Sequence, residues 1–562
     1  MRRFHTLAAF SIAATLSLSA SADVITDWNG TAVEAARSFA NPNPATYAVV
    51  LAHLAAYDAV NAIHPTGTAY LSSTAALSAT PEASLDAAAA QAFHDVLVDT
   101  IPAQKAALDD ALATSLSAIP DGAPKTKGLA VGSAAAAALL EARQADEWWY
   151  LDPTPPDFLG EDTLGKWRPT PRDNTANAPL PGNTPWWKHL APFAIDTADV
   201  FDPGPPPALS SARYAADYLE VKQYGAKTGS VRSADQTAIA KFWAQQTHVP
   251  FNAIARSLSL REKLTVDQNA RLFAQLNLAI ADSRIAIWNA KYEYQAWRPI
   301  TAINYQGDDG NSDTVPFPAP VNPTDPTWVP LLETPNHPEY PSGHSGTGAA
   351  AAGVLASWFG DDTSFTVGSD SYLGYTRSFT SFTEAAQENA NSRIYGGIHF
   401  RYANEAGIAL GYKVAEHVIT TQLAASQVPG GEGGAGGEGG VGGESSAGAS
   451  AGGESAGGEP ATATGGTGGS GGKGGTGGGG AAAGSAGKSS QPSEAGAPAE
   501  EGGAPTTSGG SGSAGKGGTA SSSDDSDDSG CSVSAPSGGN HAGLLLLLGA
   551  AGVVWQRRRT RR

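Results

Sequence analysis

The chain has 562 residues and a formal net charge of -19, so it is a strongly acidic protein. Nucleic acids bind to basic surfaces, and this charge therefore excludes a nucleic-acid-binding protein. The single cysteine, Cys531, excludes an internal disulfide, so the folded part must be held together by packing alone.

The N-terminus has the three parts of a secretory signal peptide. A positive segment, Met1-Arg2-Arg3, precedes an apolar run over 7–18, and the small residues 20–22 form a cleavage site. We therefore predict a signal peptide over 1–22 and a mature, exported chain that starts near Asp23.

Residues 23–426 are predicted to form one catalytic domain that is mainly helical. Apolar residues recur every three to four positions, and alanine-rich stretches have high helix propensity. Strand signals are few, and we predict an all-α fold class with a helical-bundle core. The helices are expected over 46–60, 83–99, 129–143, 265–291, 345–360 and 404–424, and irregular Pro-rich segments over 152–207 and 300–340.

The longest predicted helix begins with a capping box formed by Thr265 and Gln268. Pro299 is expected to end the run. If the helix continues to that point, Lys291 and Arg298, which are seven residues apart, share one face.

The C-terminal part has a different composition, because most of the 68 glycines lie after Gln427. Residues 427–530 are predicted to be a disordered linker rich in Gly, Ser and Ala. Residues 531–562 contain Cys531, an apolar run too short for a permanent membrane span, and a terminal Arg cluster. This segment resembles myxobacterial sorting signals, which implies anchoring to the outer membrane at the cell surface, or release. The alternative is an inner-membrane tail anchor, and in either case the membrane is contacted only through the tail.

Three motifs of reactive side chains follow one another in the domain: KYEYQAWRP at 291–299, PSGH at 341–344 and SRIYGGIH at 392–399. Two cations on one helix face repel each other unless an anion lies between them. A helix that starts after PSGH would offer free N–H groups and a positive dipole. The Gly pair at 396–397 would break any helix before the last histidine.

Together these groups would form a cage for a tetrahedral or trigonal oxyanion, because they supply cations, a hydroxyl and a main-chain N–H. Each motif alone has ordinary structural explanations, such as solvated helix charges or a structural histidine, and the joint pattern is what favours an oxyanion site. The cage would consist of Lys291, Arg298, Arg393, Ser342 and the Gly343 N–H, with His344 and His399 approaching its centre from opposite sides.

The three motifs resemble the signature of the vanadium haloperoxidase and type 2 phosphatidic acid phosphatase superfamily, K-x6-R-P, PSGH and S-R-x5-H. The similarity covers about residues 45–422, and its flanks look like the bacterial haloperoxidase-like branch. The resemblance implies a vanadate cofactor, with vanadium as a Lewis acid that activates hydrogen peroxide for the oxidation of halide to hypohalous acid. Its partners are then small molecules: peroxide, halide and an organic acceptor.

The same resemblance implies a role for each motif residue. His399 would ligate vanadium, and His344 would act as the acid–base group. Lys291 would also polarise an oxygen of the activated peroxide. The oxygens of vanadate would be held by Lys291, Arg298, Arg393, Ser342 and the Gly343 N–H.

Two further positions bear on this reading. His337 stands seven residues before His344, where the bromoperoxidases of the family have His and the fungal chloroperoxidases have Phe, so bromide is the expected halide. Many members also carry Asp four residues after the ligating histidine, but this chain has Ala403, followed by Asn404 and Glu405. Since a metal-bound histidine needs a partner for its second nitrogen, either a neighbour replaces that Asp or the cofactor is held more weakly.

Two other functions compete with this prediction. A soluble acid phosphatase would use phosphate as substrate and no cofactor, with His399 as the nucleophile that forms a phosphohistidine and His344 as the general acid. A non-enzymatic surface protein would carry the motifs as a relic.

Overall fold

The computed structural model of the protein describes residues 23–79, 81–146, 157–170, 179–315 and 328–425. These residues belong to one of the two units into which the chain divides, and the other unit spans 430–526. Three sequence predictions lie outside the described residues: the signal peptide over 1–22, the linker over 427–530 and the C-terminal signal over 531–562.

The described part consists mainly of α-helices, which confirms the all-α fold class. The six predicted helices each have a counterpart, with ends that differ by one to six residues. The helices are α1 (Val24–Ala36), α2 (Pro42–Ile63), α3 (Leu85–Thr100), α4 (Lys105–Ser117), α5 (Ala123–Ala142), α6 (Ala212–Tyr224), α7 (Ala234–Phe242), α8 (His248–Glu262), α9 (Val266–Tyr294), α10 (Pro299–Ile303), α11 (Gly343–Phe359), α12 (Phe382–Tyr395) and α13 (Arg401–Thr421). Strands β1 (Phe365–Gly368) and β2 (Thr376–Phe379) pair antiparallel, and short 3-10 helices cover Ser72–Ala79, Pro102–Gln104 and Pro185–His189.

Helix α9 begins as predicted, with a reciprocal capping box between Thr265 and Gln268. It ends earlier than Pro299, because Gln295 takes a left-handed conformation with φ of 53°. The expectation that Lys291 and Arg298 share a face of one continuous helix is therefore wrong. Pro299 instead starts α10, where its missing N–H costs no hydrogen bond, and Arg298 is the N-cap residue.

Helices α11 and α13 pack together at glycines that let their backbones approach closely. A Cβ added at Gly407 of α13 would lie 2.6 Å from the Ser342 carbonyl oxygen, and one at Gly411 only 2.1 Å from that of Gly346. The preceding helix, α12, ends at Tyr395, and Gly397 has a positive φ of 78°, which confirms the predicted break. The start of α11 and the turn before α13 are therefore held next to each other.

Helix α2 is the one described helix that is long and apolar enough to cross a membrane, and the whole of its apolar window is buried inside the protein. Its Asp58 accepts hydrogen bonds from the N–H groups of Tyr70 and Leu71, at 2.7 and 3.0 Å. This buried carboxylate ties the following segment to the helix. Burial is also why the pKa of Asp58 is raised to about 6.

The predicted irregular excursion over 152–207 is described for 157–170 and 179–207, where the 3-10 helix at Pro185–His189 is its helical element. Asp282 of α9 anchors it, because its carboxylate accepts from the N–H groups of Phe193, Ala194 and Ile195 at 2.6 to 2.9 Å. The excursion is thereby bound to α9, the helix that also carries Lys291.

Candidate functional site

Lys291 lies in the last turn of α9 and is completely buried. Its Nζ donates to the carbonyl oxygens of Pro338 and Glu339, at 2.8 and 2.9 Å. Burial, and next the charge of Arg298, hold its pKa well below the usual value for lysine. The charged form of Lys291 is therefore disfavoured in the interior, and a nearby anion would stabilise it.

Arg298 connects three parts of the chain although it lies outside α9. Its Nε donates to the His337 carbonyl, and Nη1 donates to the Ile398 carbonyl at 2.8 Å. The same Nη1 lies 3.2 Å from His399 Nε2, and Nη2 lies 3.0 Å from His337 Nδ1. Burial lowers the pKa of this fully buried guanidinium to about 10.

His399 is oriented by Glu339. Its Nδ1 lies 2.8 Å from Glu339 Oε1, which also accepts the N–H of Phe400 at 2.9 Å. Oε1 is thus an acceptor, so Nδ1 carries the proton and Nε2 keeps its lone pair. Burial and the neighbouring cations, first Arg298, hold the pKa of His399 well below its usual value, so the ring is neutral. A neutral imidazole with an Nε2 lone pair is the form that binds a metal, and here that lone pair faces Arg298 Nη1.

Glu339 takes the role of the Asp that many family members carry at the position of Ala403. The residues after Ala403 do not contact the histidine, because the side chain of Asn404 bonds Ser345 and the Ala390 carbonyl, while Glu405 pairs with an arginine on α6. A neighbour therefore replaces the missing Asp, and this neighbour, Glu339, lies before His399 in the sequence and not after it. The available signal was a carboxylate three residues before Ser342, beside the PSGH motif.

The PSGH motif forms the N-terminus of α11, as predicted. Ser342 is the N-cap residue, but its hydroxyl does not cap the helix and instead accepts from Ser345 Oγ at 2.9 Å. A Cβ added at Gly343 would lie 3.6 Å from the ring of Trp288, so this end of α11 packs against α9. The first turn of α11 therefore lies beside α9, and its first N–H groups have no acceptors within their own helix.

His344 keeps part of its surface accessible. Its Nε2 lies 3.1 Å from the Gln245 carbonyl oxygen, which can only accept, so Nε2 carries the proton and Nδ1 is free to act as a base. Burial within the protein, and next the charge of Arg393, hold its pKa well below the usual value.

Arg393 is buried near the end of α12. It donates through Nη2 to the Trp243 carbonyl at 2.7 Å and through Nε to Ser392 Oγ at 2.9 Å. Its charge contributes to the lowered pKa of both His344 and His399. The positive charge of Arg393 therefore disfavours the protonation of both histidines.

The predicted site residues thus divide into two groups. Direct contacts join Lys291, Arg298, His337 and His399 through the segment 337–339, while Ser342, Gly343 and His344 lie at the start of α11 and Arg393 near the end of α12. Within the described ranges, no salt bridge joins Lys291 or Arg298 to a carboxylate, and Glu339 is the acid whose charge acts on both. Two buried cations beside one carboxyl group leave an excess of positive charge, which is costly without an anion. The donors present therefore fit an oxyanion such as vanadate.

Comparison with known proteins agrees with this geometry. A family model described as the VCPO second helical-bundle domain matches residues 271–427, a range that contains every predicted site residue. Vanadium chloroperoxidase of Curvularia inaequalis is 25% identical over 298 residues, which are 41% of this chain and 48% of that protein. The chain thus spans about half the length of this curated relative.

Two solved structures are also similar. A structure described as the first bacterial vanadium-dependent iodoperoxidase superposes with a TM-score of 0.59 and 26% identity, covering 72% of this chain and 98% of that one. A holo-type bacterial vanadium-dependent chloroperoxidase gives a TM-score of 0.54 at 19% identity, covering 67% and 91%. The second likeness concerns the fold alone.

Proposed function

Because this chain belongs to the vanadium haloperoxidase superfamily, we propose that it is a vanadate-dependent haloperoxidase that oxidises halide with hydrogen peroxide to hypohalous acid. The observation that carries the proposal is the buried excess of positive charge next to a neutral His399 whose Nε2 has a lone pair, directed toward Arg298, that can form a ligand bond.

His399 would be the protein ligand of vanadium. The oxygens of vanadate would be held by Lys291, Arg298, Arg393, the Ser342 hydroxyl and the Gly343 N–H. When bound, vanadate supplies a Lewis acid that activates peroxide without a change in its own oxidation state. The buried cations would stabilise negative charge as it develops on oxygen, in surroundings from which water is largely excluded.

His344 would move the proton. Its neutral Nδ1 can accept a proton from peroxide as it enters and return one to the oxygen that leaves with the halide. The lowered pKa keeps the ring in its basic form in the absence of the anion. An oxyanion nearby would raise that pKa toward neutrality, where a group can both accept and donate a proton.

Bromide is the halide we propose, and His337 is the residue on which this rests. Its Nδ1 lies 3.0 Å from Arg298 Nη2 and 3.1 Å from the Pro338 carbonyl oxygen, so the ring of His337 lies directly beside a cation of the cage. The similar proteins named above are a chloroperoxidase and an iodoperoxidase, and that difference between relatives leaves the choice of halide to be measured directly.

One observation also favours a soluble acid phosphatase as the second candidate. A histidine whose Nδ1–H is bound by a carboxylate is suited to nucleophilic attack through Nε2, so the pair of His399 and Glu339 would serve a phosphohistidine mechanism too. In that case phosphate esters are the substrates and no cofactor is needed.

The deciding experiment measures two activities on one purified preparation. Bromination of monochlorodimedone with peroxide and orthovanadate is compared with hydrolysis of p-nitrophenyl phosphate, for wild type and His399→Ala. We expect wild type to brominate and the variant to lose bromination and tight vanadate binding, since the ligand atom is gone. Bromination retained in His399→Ala would refute the assignment, and phosphatase activity alone in wild type would select the second candidate.

A further inference from the structure

A fourth buried cation, Arg284, lies on α9 two turns before Lys291 and takes no part in the cage described above. It is only 5% exposed. Its Nε and Nη2 both donate to one neutral acceptor, Asn43 Oδ1, at 2.9 and 2.6 Å. Within the described residues Nη1 has no hydrogen-bond partner and no carboxylate forms an ion pair with the group. Nη1 of Arg284 is thus a cationic donor in the interior that has no acceptor among the described residues.

The surroundings of Arg284 are rigidly built. The guanidinium lies 4.9 Å from the centre of the Trp288 ring, and that ring lies 5.0 Å from the ring of His337. Thr184 Oγ1 accepts from both Trp288 Nε1 and Asn43 Nδ2, at 3.0 and 2.9 Å. Thr184 itself has a positive φ of 48°, which a threonine adopts only where its surroundings hold it there.

The charge of Arg284 acts on the cage as well. Burial lowers the pKa of Arg284 to about 9, so the protein leaves this charge poorly compensated. It contributes to the lowered pKa of Lys291, His337 and His344. Arg284 is therefore a cation one side chain away from the cage, with Trp288 between them.

The residue at position 43 is a neutral asparagine, which leaves the charge of Arg284 without a counter-ion at this hydrogen bond. An aspartate there would give Arg284 an internal counter-ion in the same geometry, and its second oxygen would face a threonine hydroxyl that can turn to donate. The asparagine positions the guanidinium but leaves its charge available. A neutral ligand such as peroxide gains nothing from such a charge, whereas a small anion gains both the charge and the free Nη1 donor.

We propose that Arg284, framed by Asn43, Thr184 and Trp288, binds a small monovalent anion, and that in the working enzyme this anion is the halide awaiting oxidation. The second half of the proposal rests on the proposed function. The site would raise the local halide concentration beside the cage without competing for the groups that hold the oxyanion.

The first test uses the vanadate-free protein and bromide itself. Crystals soaked in bromide and measured at the bromine absorption edge should show an anomalous peak within hydrogen-bond distance of Arg284 Nη1. The peak should be absent in Asn43→Asp, in which the new carboxylate neutralises the guanidinium. No peak in wild type would overturn the anion site. A peak of equal height in Asn43→Asp would mean an adventitious ion only.

The second test measures kinetics on the vanadate-loaded enzyme. Asn43→Asp and Arg284→Gln should raise the KM for bromide at least tenfold, while kcat and the Kd for vanadate change less than threefold. Arg271→Gln is the matched control, because Arg271 lies on the same helix and stacks over Trp358 at 4.7 Å. It should leave all three parameters unchanged.

The outcomes separate the two proposals. An unchanged KM in Asn43→Asp, in an enzyme that does oxidise bromide, removes the halide role of Arg284 and leaves the proposed function intact. A bromide peak at Arg284 in a protein that hydrolyses phosphate esters but oxidises no halide removes the proposed function and keeps the anion site.

Discussion

Glu339 joins two parts of the site through different atoms. Its side chain fixes the ring of His399, while its backbone carbonyl accepts from Lys291 Nζ. Burial raises the pKa of this carboxyl to about 8, and the neighbouring cations Arg298 and Lys291 oppose that shift. The residue therefore sets the position of both a ligand and a cation of the cage.

We expect Glu339→Gln to weaken vanadate binding by about 10- to 100-fold, the usual effect of removing a carboxylate that orients a metal-bound histidine. Glu339→Ala should weaken it further, because Gln still accepts from Nδ1 and Ala does not. The measurement is a calorimetric titration of the protein with orthovanadate. Glu405→Gln is the control, because Glu405 pairs with Arg213 and does not contact His399. We expect this variant to bind vanadate with the affinity of wild type. Equal affinities for Glu339→Gln and wild type would contradict the orienting role.

We expect His344→Ala to retain vanadate but to lose turnover by about 10²- to 10⁴-fold, the range typical of a lost acid–base group. The Kd for vanadate and kcat for bromination are to be measured on the same preparation. Normal turnover in this variant would show that the proton moves by another route.

At this scale the sequence predicts residue types better than their connections. Seven of the predicted site residues, from Lys291 to His399, follow from three motifs whose chemistry is local. The bond from Glu339 to His399 spans 60 positions and depends on a turn that no periodicity describes, so it became visible only in three dimensions. The burial of Arg284 could not be predicted from the sequence either, because an arginine in a long helix usually lies at the surface.

Helices position these residues, and the packing of α11 on α13 is the most sensitive contact. The two backbones touch where a Cβ at Gly407 would meet the Ser342 carbonyl and the Gly346 nitrogen, 2.6 and 3.1 Å away. That carbonyl belongs to the first turn of α11, which carries Gly343 and His344. A shift of either helix would therefore move the N–H groups offered to the oxyanion.

We expect Gly407→Ala to destabilise the protein by about 1 to 3 kcal/mol, as overpacking of a tight contact does, and to weaken vanadate binding at least tenfold. Chemical denaturation and vanadate titration measure the two effects. Gly30→Ala is the matched control, since a Cβ at Gly30 meets nothing within 4 Å in the middle of α1. It should raise stability by about 0.5 to 1 kcal/mol and leave vanadate binding unchanged. Wild-type affinity in Gly407→Ala would disprove the link between this contact and the site.

Of the two ends of α9, only the start can be predicted from the sequence. Thr265 and Gln268 gave the start of α9 correctly, because a capping box is a local pattern. The end of α9 at Tyr294 depends on Gln295 in a left-handed conformation, which is favourable only in its tertiary surroundings. Lys291 and Arg298 therefore meet through a turn and the segment 337–339, and not along one helix face.

The whole molecule is stabilised by packing, since the described residues contain no cysteine. Its interior includes buried carboxylates whose ionisation opposes folding. Asp58 is one of these, with a pKa raised from 3.8 to about 6 by burial. Because the folded state holds this proton more tightly than the unfolded state does, the stabilising contribution is complete below pH 3.8 and is lost as the pH rises through 6.

We expect the difference in unfolding free energy between wild type and Asp58→Asn to fall by about 3 kcal/mol between pH 3.8 and pH 7, because asparagine does not titrate. Urea denaturation of both proteins across this range measures it. A difference that stays constant with pH would mean that folding leaves the pKa of Asp58 unchanged.

The eight residues from His337 to His344 hold more of the site than any other stretch of comparable length. They are bonded to Arg298, Lys291, His399, the Ala403 carbonyl and the Gln245 carbonyl, which come from three separate parts of the chain. A single inserted or deleted residue here would dislocate all of these groups together, whereas an exchanged side chain disturbs one. Changes of chain length are therefore expected elsewhere, in segments such as 304–315 that carry none of these groups.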